Sequence, residues 1–293
     1  MFVRILEIFL PLLAVILVGY FYARRFKPDF SDAVRISQDI ALPALSFSAL
    51  STMKVSILEE GLFVLAVILI MAFSTVVSWA SARRVGIDTR AFVTTMTFAN
   101  VGQIGLPLTA LAFGPEGLKA GVIVMVVSNI LHFSLGVLLM SGRTDLRVLY
   151  TNPTIWATVA GLTFSFTGAA LPAWCMVAIR TLGDMLVPVM LMSMGARMIS
   201  IPWSSWRIGT FGGLFAPIVR LVPALALAAM LPLPPVQRGA LILYAVLPSA
   251  IFNYMMADRY GRESGRIAAM VMIGHLLAIG LLPFGLYLAL RQA

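Results

Sequence analysis

Phe98-Ala99-Asn100-Val101-Gly102-Gln103-Ile104-Gly105-Leu106-Pro107-Leu108 lies inside an apolar stretch that runs from about residue 91 to 112. Gly102, Gly105 and Pro107 fall within six residues, lowering helical propensity and removing one backbone donor, so the helix is expected to unwind here. Unwound backbone survives in lipid only where protein buries it or where it lines a wet cavity. Asn100 and Gln103 place two side-chain amides beside it. A second interrupted stretch, about 238–257, contains Pro248-Ser249-Ala250 and then Asn253, with 141 residues between Pro107 and Pro248. Paired interruptions at matching positions of two halves point to a binding site in mid-membrane. Asn100, Gly102, Gln103, Gly105, Pro107, Pro248, Ser249 and Asn253 are the residues expected to build it.

The rest of the chain supplies the membrane context. Of 293 residues, 60% are hydrophobic and 11% charged, where soluble domains carry about a quarter charged residues. Mean hydropathy is +0.98. Ten apolar stretches can be read, near 2–22, 31–50, 61–81, 91–112, 118–140, 152–168, 173–196, 208–230, 238–257 and 265–290. At about 20 residues per span they leave only short connections, which excludes a large soluble domain. Arg24, Arg25 and Lys27 follow the first stretch instead of preceding it, so that stretch reads as a retained helix and not a signal peptide. The excess of 21 basic over 12 acidic side chains is explained by basic loops that anchor membrane helices, and nucleic acid is not expected. One cysteine, Cys175, and two histidines provide neither an internal disulfide nor a Cys/His metal cluster.

Parts of the sequence recur. Asp39, Pro43 and Ser48 in the second stretch correspond to Asp184, Pro188 and Ser193 in the seventh, all at an offset of 145. Phe113-Gly114-Pro115-Glu116 and Tyr260-Gly261-Arg262-Glu263 form a second echo at an offset of 147. Five spans are an odd number, so a duplicated five-helix unit re-enters the membrane from the opposite face and the two halves are inverted repeats. The expected organisation is an all-α membrane protein of ten transmembrane helices, with a first repeat over 1–140, a cytoplasmic connecting loop over 141–151 and a second repeat over 152–293.

Three charged residues fall within apolar stretches. Asp39 and Asp184 occupy equivalent repeat positions and are candidates for proton coupling, against the plainer reading that each carboxylate caps irregular backbone or pairs with an arginine. Arg220 is expected to pair with one of them or to meet an anion. His132 and His275, each in the final span of its half, read as hydrogen bonds across helices. The 17 methionines are packing material, and Trp203 and Trp206 beside Arg207 read as interfacial anchors.

The 98–108 stretch, followed by Phe113-Gly114, resembles the fourth-helix signature of the auxin efflux carrier family, whose plant members include the PIN proteins. Leu42-Pro43-Ala44-Leu45-Ser46-Phe47, Asn152-Pro153, Pro188 with Gly195, and Pro248 followed by Tyr260-Gly261 add weaker matches over nearly the whole chain. The long central loop of many plant members is missing, and no close partner of Asn100 stands beside Pro248. The resemblance implies that helices 1, 2, 6 and 7 form a scaffold and helices 3–5 and 8–10 a moving transport domain. It also implies that helices 4 and 9 cross at their prolines, with Asn100, Pro107 and Pro248 at the crossing and Ser46 facing the substrate from the scaffold.

The function expected is secondary transport of a small organic anion by elevator-type alternating access. Half-helix N-termini suit a carboxylate, and the family adds auxin-like, malate-like or malonate-like substrates. The alternative is a sodium-coupled carrier of the bile-acid symporter type. No nucleophile motif, metal set or phosphate loop supports an enzyme, and a non-transporting receptor is the remaining class. No cofactor is expected, coupling being to protons or sodium if present; the partners are the anion and the lipid bilayer, with a homodimer as the assembly considered. The bacterial inner membrane is the expected location.

Orientation follows from basic residues. Loops after odd-numbered stretches carry fourteen Lys and Arg, against six on the other side, which places both termini outside and the 141–151 loop in the cytoplasm. A cysteine at Asp145, in a chain whose Cys175 is replaced, is expected to resist an impermeant thiol reagent added to intact cells; labelling there would reverse the orientation.

Overall fold

A computed structural model describes residues 1–52, 57–142 and 151–292. The described residues are helical apart from short connections, and they include no strand. The first helix, α1 (Phe2–Phe26), stops at Lys27 in the left-handed conformation, whose N–H reaches Ala23 O at 2.9 Å. After it, α2 (Ser31–Ile36) runs through a π-helical turn, Ser37–Ala41, into α3 (Leu42–Ser51). Pro43 explains the turn: it has no N–H for the carbonyl of Asp39, so the ladder loosens and Leu42 N–H bonds instead to Ser37 O.

The second half repeats the device. There α8 (Pro153–Thr167) precedes α9 (Ala173–Asp184) and α10 (Leu186–Arg197), which meet at Met185 because Pro188 cannot donate to Asp184 O. Ser48 and Ser193 then bond back to carbonyls three residues earlier, Leu45 O at 3.1 Å and Met190 O at 2.8 Å.

Between these segments lie α4 (Ile57–Val85), α5 (Thr89–Thr97), a π-helical turn over Val101–Gly105, α6 (Leu106–Leu131), a second π-helical turn over His132–Gly136 and α7 (Val137–Ser141). The chain ends with α11 (Trp206–Met230), α12 (Pro235–Val246), α13 (Ile251–Arg259) and α14 (Ser264–Gln292). Gly114 divides α6 with φ 66°, and Gly261 separates α13 from α14 with φ 63°, so the sequence echo at these positions is a pair of left-handed turns that favour glycine.

Six helical segments are long and apolar enough to cross a membrane: Phe2–Phe26, Glu60–Val85, Val101–Ser141, Ala173–Arg197, Trp203–Met230 and Ser264–Gln292. The difference from the ten stretches read in the sequence has four physical sources, the first being the charges Asp32, Arg35 and Asp39 in the stretch near 31–50. Val101–Ser141 contains the turn at Gly114; the stretches near 91–112 and 238–257 are each split; and α8 has only 15 residues. Large apolar side chains point outward along the bundle, among them Phe21, Val76, Trp156, Val177 and Ile218. The expected connecting loop 141–151 lies mostly outside the described residues, together with Lys54, Arg143 and Arg147.

The helices pack in two groups. In one, α1 lies along α10, and α3 packs on α8 and α9. Their contact is close because small residues let backbones approach: a Cβ on Gly195 would stand 1.9 Å from Ile16 O, and one on Gly19 would stand 2.2 Å from Met192 O. In the other, α11 packs on α14 and α4, α12 on α14 and α6, and α4 on α5. Polar ties brace both ends of this second group. Lys119 Nζ lies 2.9 Å from Glu60, which also accepts from Gln237 Nε2 at 3.2 Å. At the other end Arg262 meets Asp88 at 2.8 Å and donates to Met140 O at 2.5 Å.

Candidate functional site: two helix breaks and the cavity beside them

The chain leaves helical geometry at Phe98 and again at Leu247, and the two breaks repair each other. Asn100 N–H donates to Pro248 O at 2.8 Å, and Ala250 N–H donates to Phe98 O at 2.9 Å, joining Ala99 and Ser249 in a single antiparallel bridge. Pro248 favours the break, because the residue before a proline is biased out of the α region. Leu247 accordingly has ψ 144° and ends α12. In the first half the departure lies at Phe98–Asn100, upstream of the Gly102–Pro107 cluster expected to unwind. Pro107 stands two residues after the π-helical turn Val101–Gly105, as Pro43 does after Ser37–Ala41: it has no N–H for the carbonyl of Gln103, and Leu106 N–H bonds to Val101 O. Gly105 is packed against Leu247, whose Cδ1 would lie 2.8 Å from a Cβ there.

Amides and imidazoles interlock around the bridge. Asn100 Nδ2 lies 2.9 Å from His275 Nε2 and donates to Gln103 Oε1 at 3.1 Å, while its Oδ1 accepts from Gln103 N–H. Asn253 Nδ2 donates to Phe98 O at 3.0 Å, and its Oδ1 lies 2.7 Å from His132 Nε2. Each break is therefore held by a histidine from the last long helix of the opposite half. His132 also stacks on Phe98 with ring centroids 4.1 Å apart. Asn253 does the work at the second break for which the sequence offered no counterpart of Asn100.

Arg220 is fully buried in α11 and pairs with no carboxylate among the described residues. Its guanidinium donates from Nε to Ala245 O at 3.3 Å and from Nη2 to Leu247 O. Those carbonyls are orphaned by the break at Leu247, and a cation suits the negative end of α12. The matching first-half contact is neutral: Thr75 Oγ1 and Thr97 Oγ1 lie 3.1 Å apart at the end of α5.

A cavity of about 550 Å³ opens between the two packing groups beside this bridge. Ala99, Asn100, Val101, Gly102, Gln103, His132, Ala250, Ile251 and Phe252 line it from the broken helices and α6; Val34, Arg35, Asp39, Asn152, Leu186, Met190 and Arg197 line it from the opposite group. The N-terminal turns that resume after both breaks face it, bringing N–H groups without intrahelical acceptors. Gly102 leaves open space where a Cβ would project. The Asn100 amide is engaged within the protein on all sides, so the donor it frees for the cavity is the Nε2 of Gln103, which makes no hydrogen bond to a described residue.

Among the expected site residues, Asn100, Gly102 and Gln103 line this cavity, Pro248 and Ser249 form the bridge beside it, and Asn253 backs it through His132. Gly105 and Pro107 are buried next to it in the resumed helix. Ser46 is buried with its hydroxyl on Leu42 O at 2.8 Å and does not line it. Asp39 stands in the lining, 3.7 Å from Arg35, with its side chain 58% exposed. Asp184 is exposed at the end of α9 and outside the cavity. Arg197 is one of the basic residues after an odd-numbered stretch, and Leu186, Met190 and Arg197 fall within about 40° of one another at 100° per residue and so share one face of α10.

Helices with apolar outer surfaces, interrupted in mid-bundle around a polar cavity, define an integral membrane transporter. The sequence model of the family described as membrane transport protein matches residues 4–149 and again 141–286. The chain belongs to that family, the auxin efflux carriers. It is 24% identical over 294 residues to an uncharacterized transporter of Methanothermobacter thermautotrophicus, a match covering 94% of this chain and 96% of the relative. It is also 25% identical over 306 residues to a putative malonate transporter of Rhizobium meliloti, covering 95% and 94%.

The Arg220 contact makes a stability prediction. Replacing Arg220 with Met leaves two buried carbonyls unsatisfied at about 1–3 kcal/mol each, partly offset by no longer burying a cation. Arg220→Met is expected to lower the thermal unfolding midpoint of the detergent-solubilised protein clearly below that of Arg259→Met, an exposed control. Equal midpoints would show that the cap contributes nothing.

Proposed function

We propose that this protein is a secondary carrier of a small organic anion that works by elevator-type alternating access. The observation that carries this reading is the position of the cavity. It lies between two helix groups that pack chiefly within themselves, with its floor built by the reciprocal break of one of them. A group braced internally at both ends can move past its neighbour as one body and carry that floor with it. Counting the split helices as single crossings, and each side of Gly114 separately, supports ten spans in two inverted five-helix repeats. Helices 4 and 9 are then α5 with the first part of α6, and α12 with α13.

Chemistry at the floor favours an anion. Two resumed helix N-termini and the free Gln103 amide are donors, whereas the one carboxylate in the lining, Asp39, is matched by Arg35. With termini outside, the cavity mouth at Ser31, Asn152 and Arg197 faces the cytoplasm. The bacterial inner membrane is the setting this reading entails. Asp39 is assigned the coupled proton, since it stands in the cavity and Asp184 does not.

Losing a hydrogen bond to a charged group costs about 1.5–3 kcal/mol, or roughly 10- to 150-fold in affinity. Gln103→Leu and Asn100→Ala are each expected to weaken carboxylate binding in that range, the first by removing the donor and the second by releasing Gln103 and His275. Pro283→Ala, in α14 away from the cavity, should leave binding nearly intact. Tight binding by both amide variants, measured by calorimetry on purified protein, would move the site elsewhere.

Coupling is tested separately in proteoliposomes. Asp39→Asn is expected to abolish stimulation of uptake by a pH gradient while binding persists, and Asp184→Asn to retain it. Gradient-driven uptake by Asp39→Asn would remove Asp39 from the proton path.

A further inference from the structure

Arg197 is a cation in the cavity that no described residue pairs with. It closes α10 on the face already occupied by Leu186 and Met190, so an apolar wall ends in a guanidinium. Its Nε is enclosed yet has no acceptor, and Arg197 forms no ion pair with any described residue. The lining as a whole is unbalanced: Arg35 and Asp39 match each other at 3.7 Å, and Arg197 remains as the excess charge. Its titratable neighbours are Tyr254 and His275, and His275 is hydrogen-bonded to Asn100. Thus the same small region holds the guanidinium and the neutral donors of the bridge, on opposite packing groups.

We propose that Arg197 forms a second anion subsite, facing the Gln103 end of the cavity, which receives the far carboxylate of a dicarboxylate and sets the preference for dianions over monoanions. This deepens the organic-anion reading above and rests on it. A guanidinium presents paired N–H donors that match a carboxylate in one plane, a geometry that ammonium lacks. One carboxylate is held at the floor by neutral groups and the other at the α10 wall by charge, so a monocarboxylate occupies only the first position. Because the two positions belong to different packing groups, a bound dicarboxylate also joins those groups across the cavity.

The test compares succinate and malonate with propionate and acetate by calorimetry on the purified full-length protein, for wild type, Arg197→Gln and Arg197→Lys. Wild type is expected to prefer the dicarboxylates. Arg197→Gln should lose roughly 10- to 150-fold in dicarboxylate affinity with monocarboxylate affinity almost unchanged, which at once shows that the variant is folded. Arg197→Lys, which keeps the charge without the fork, should fall between. Wild-type affinity ratios in Arg197→Gln, or equal losses for both acid classes, would overturn the second subsite while leaving the carrier reading in place. Should the glutamine variant fail to fold, an unchanged ratio in the lysine variant overturns it. Wild type that binds neither class would overturn the carrier reading and the subsite together.

Discussion

A backbone carbonyl or amide without a partner costs several kcal/mol in hydrocarbon, and every irregularity in this bundle answers to that constraint. The two principal breaks are stable because each supplies what the other lacks: Asn100 N–H for Pro248 O, and Ala250 N–H for Phe98 O. What the bridge leaves over is met by side chains. Asn253 reaches Phe98 O, Arg220 takes the carbonyls of Ala245 and Leu247, and His132 and His275 fix the amides that do the bonding. Polar residues that look extravagant in a chain with 11% charge are mostly accounted for in this way.

The same constraint leaves the polar ties unevenly distributed between the two groups. Ionic ties at Glu60–Lys119 and Asp88–Arg262, together with the bridge, fall within a single packing group. Across the cavity the lining of the other group is sparse in such bonds: Leu186 and Met190 are apolar, and the Arg35–Asp39 pair is closed on its own helical segment. The bridge and its ties belong to one group, and the facing lining, which sets Arg35, Gln38, Asp39, Asn152 and Arg197 beside Leu186 and Met190, belongs to the other.

How much of this the sequence disclosed depended on whether the cause was local. Pro248 favours a break at its own neighbour, and the break is where the sequence put it. Gly102, Gly105 and Pro107 pointed to the stretch that loosens into the π-helical turn Val101–Gly105, whereas the extended residues just before it, Phe98 and Ala99, carry no local signal of their own. Gly114 and Gly261 emerged as an echo since a left-handed turn needs glycine at a fixed place. The histidine–amide bonds span 121 and 175 residues of sequence, and no local pattern encodes such partners. Arg220 was legible as unusual but not as a cap, which depends on where α12 stops. Arg197 shares a helical face with 186 and 190, but a basic residue at a helix end reads first as a topological signal, and its place in the cavity depends on where α10 lies against the broken helices.

The bridge also constrains how the protein is made. Its partners are 150 residues apart in the chain, so when the segment around Phe98 first enters the bilayer, Pro248 and Ala250 have yet to be synthesised. Until they arrive, the first break has an exposed donor and acceptor in a medium that offers neither. The amino-terminal half therefore has no low-energy resting form of its own in lipid. It must be sheltered by the insertion machinery, or held as a continuous helix that later opens, until the segment around Pro248 closes the bond.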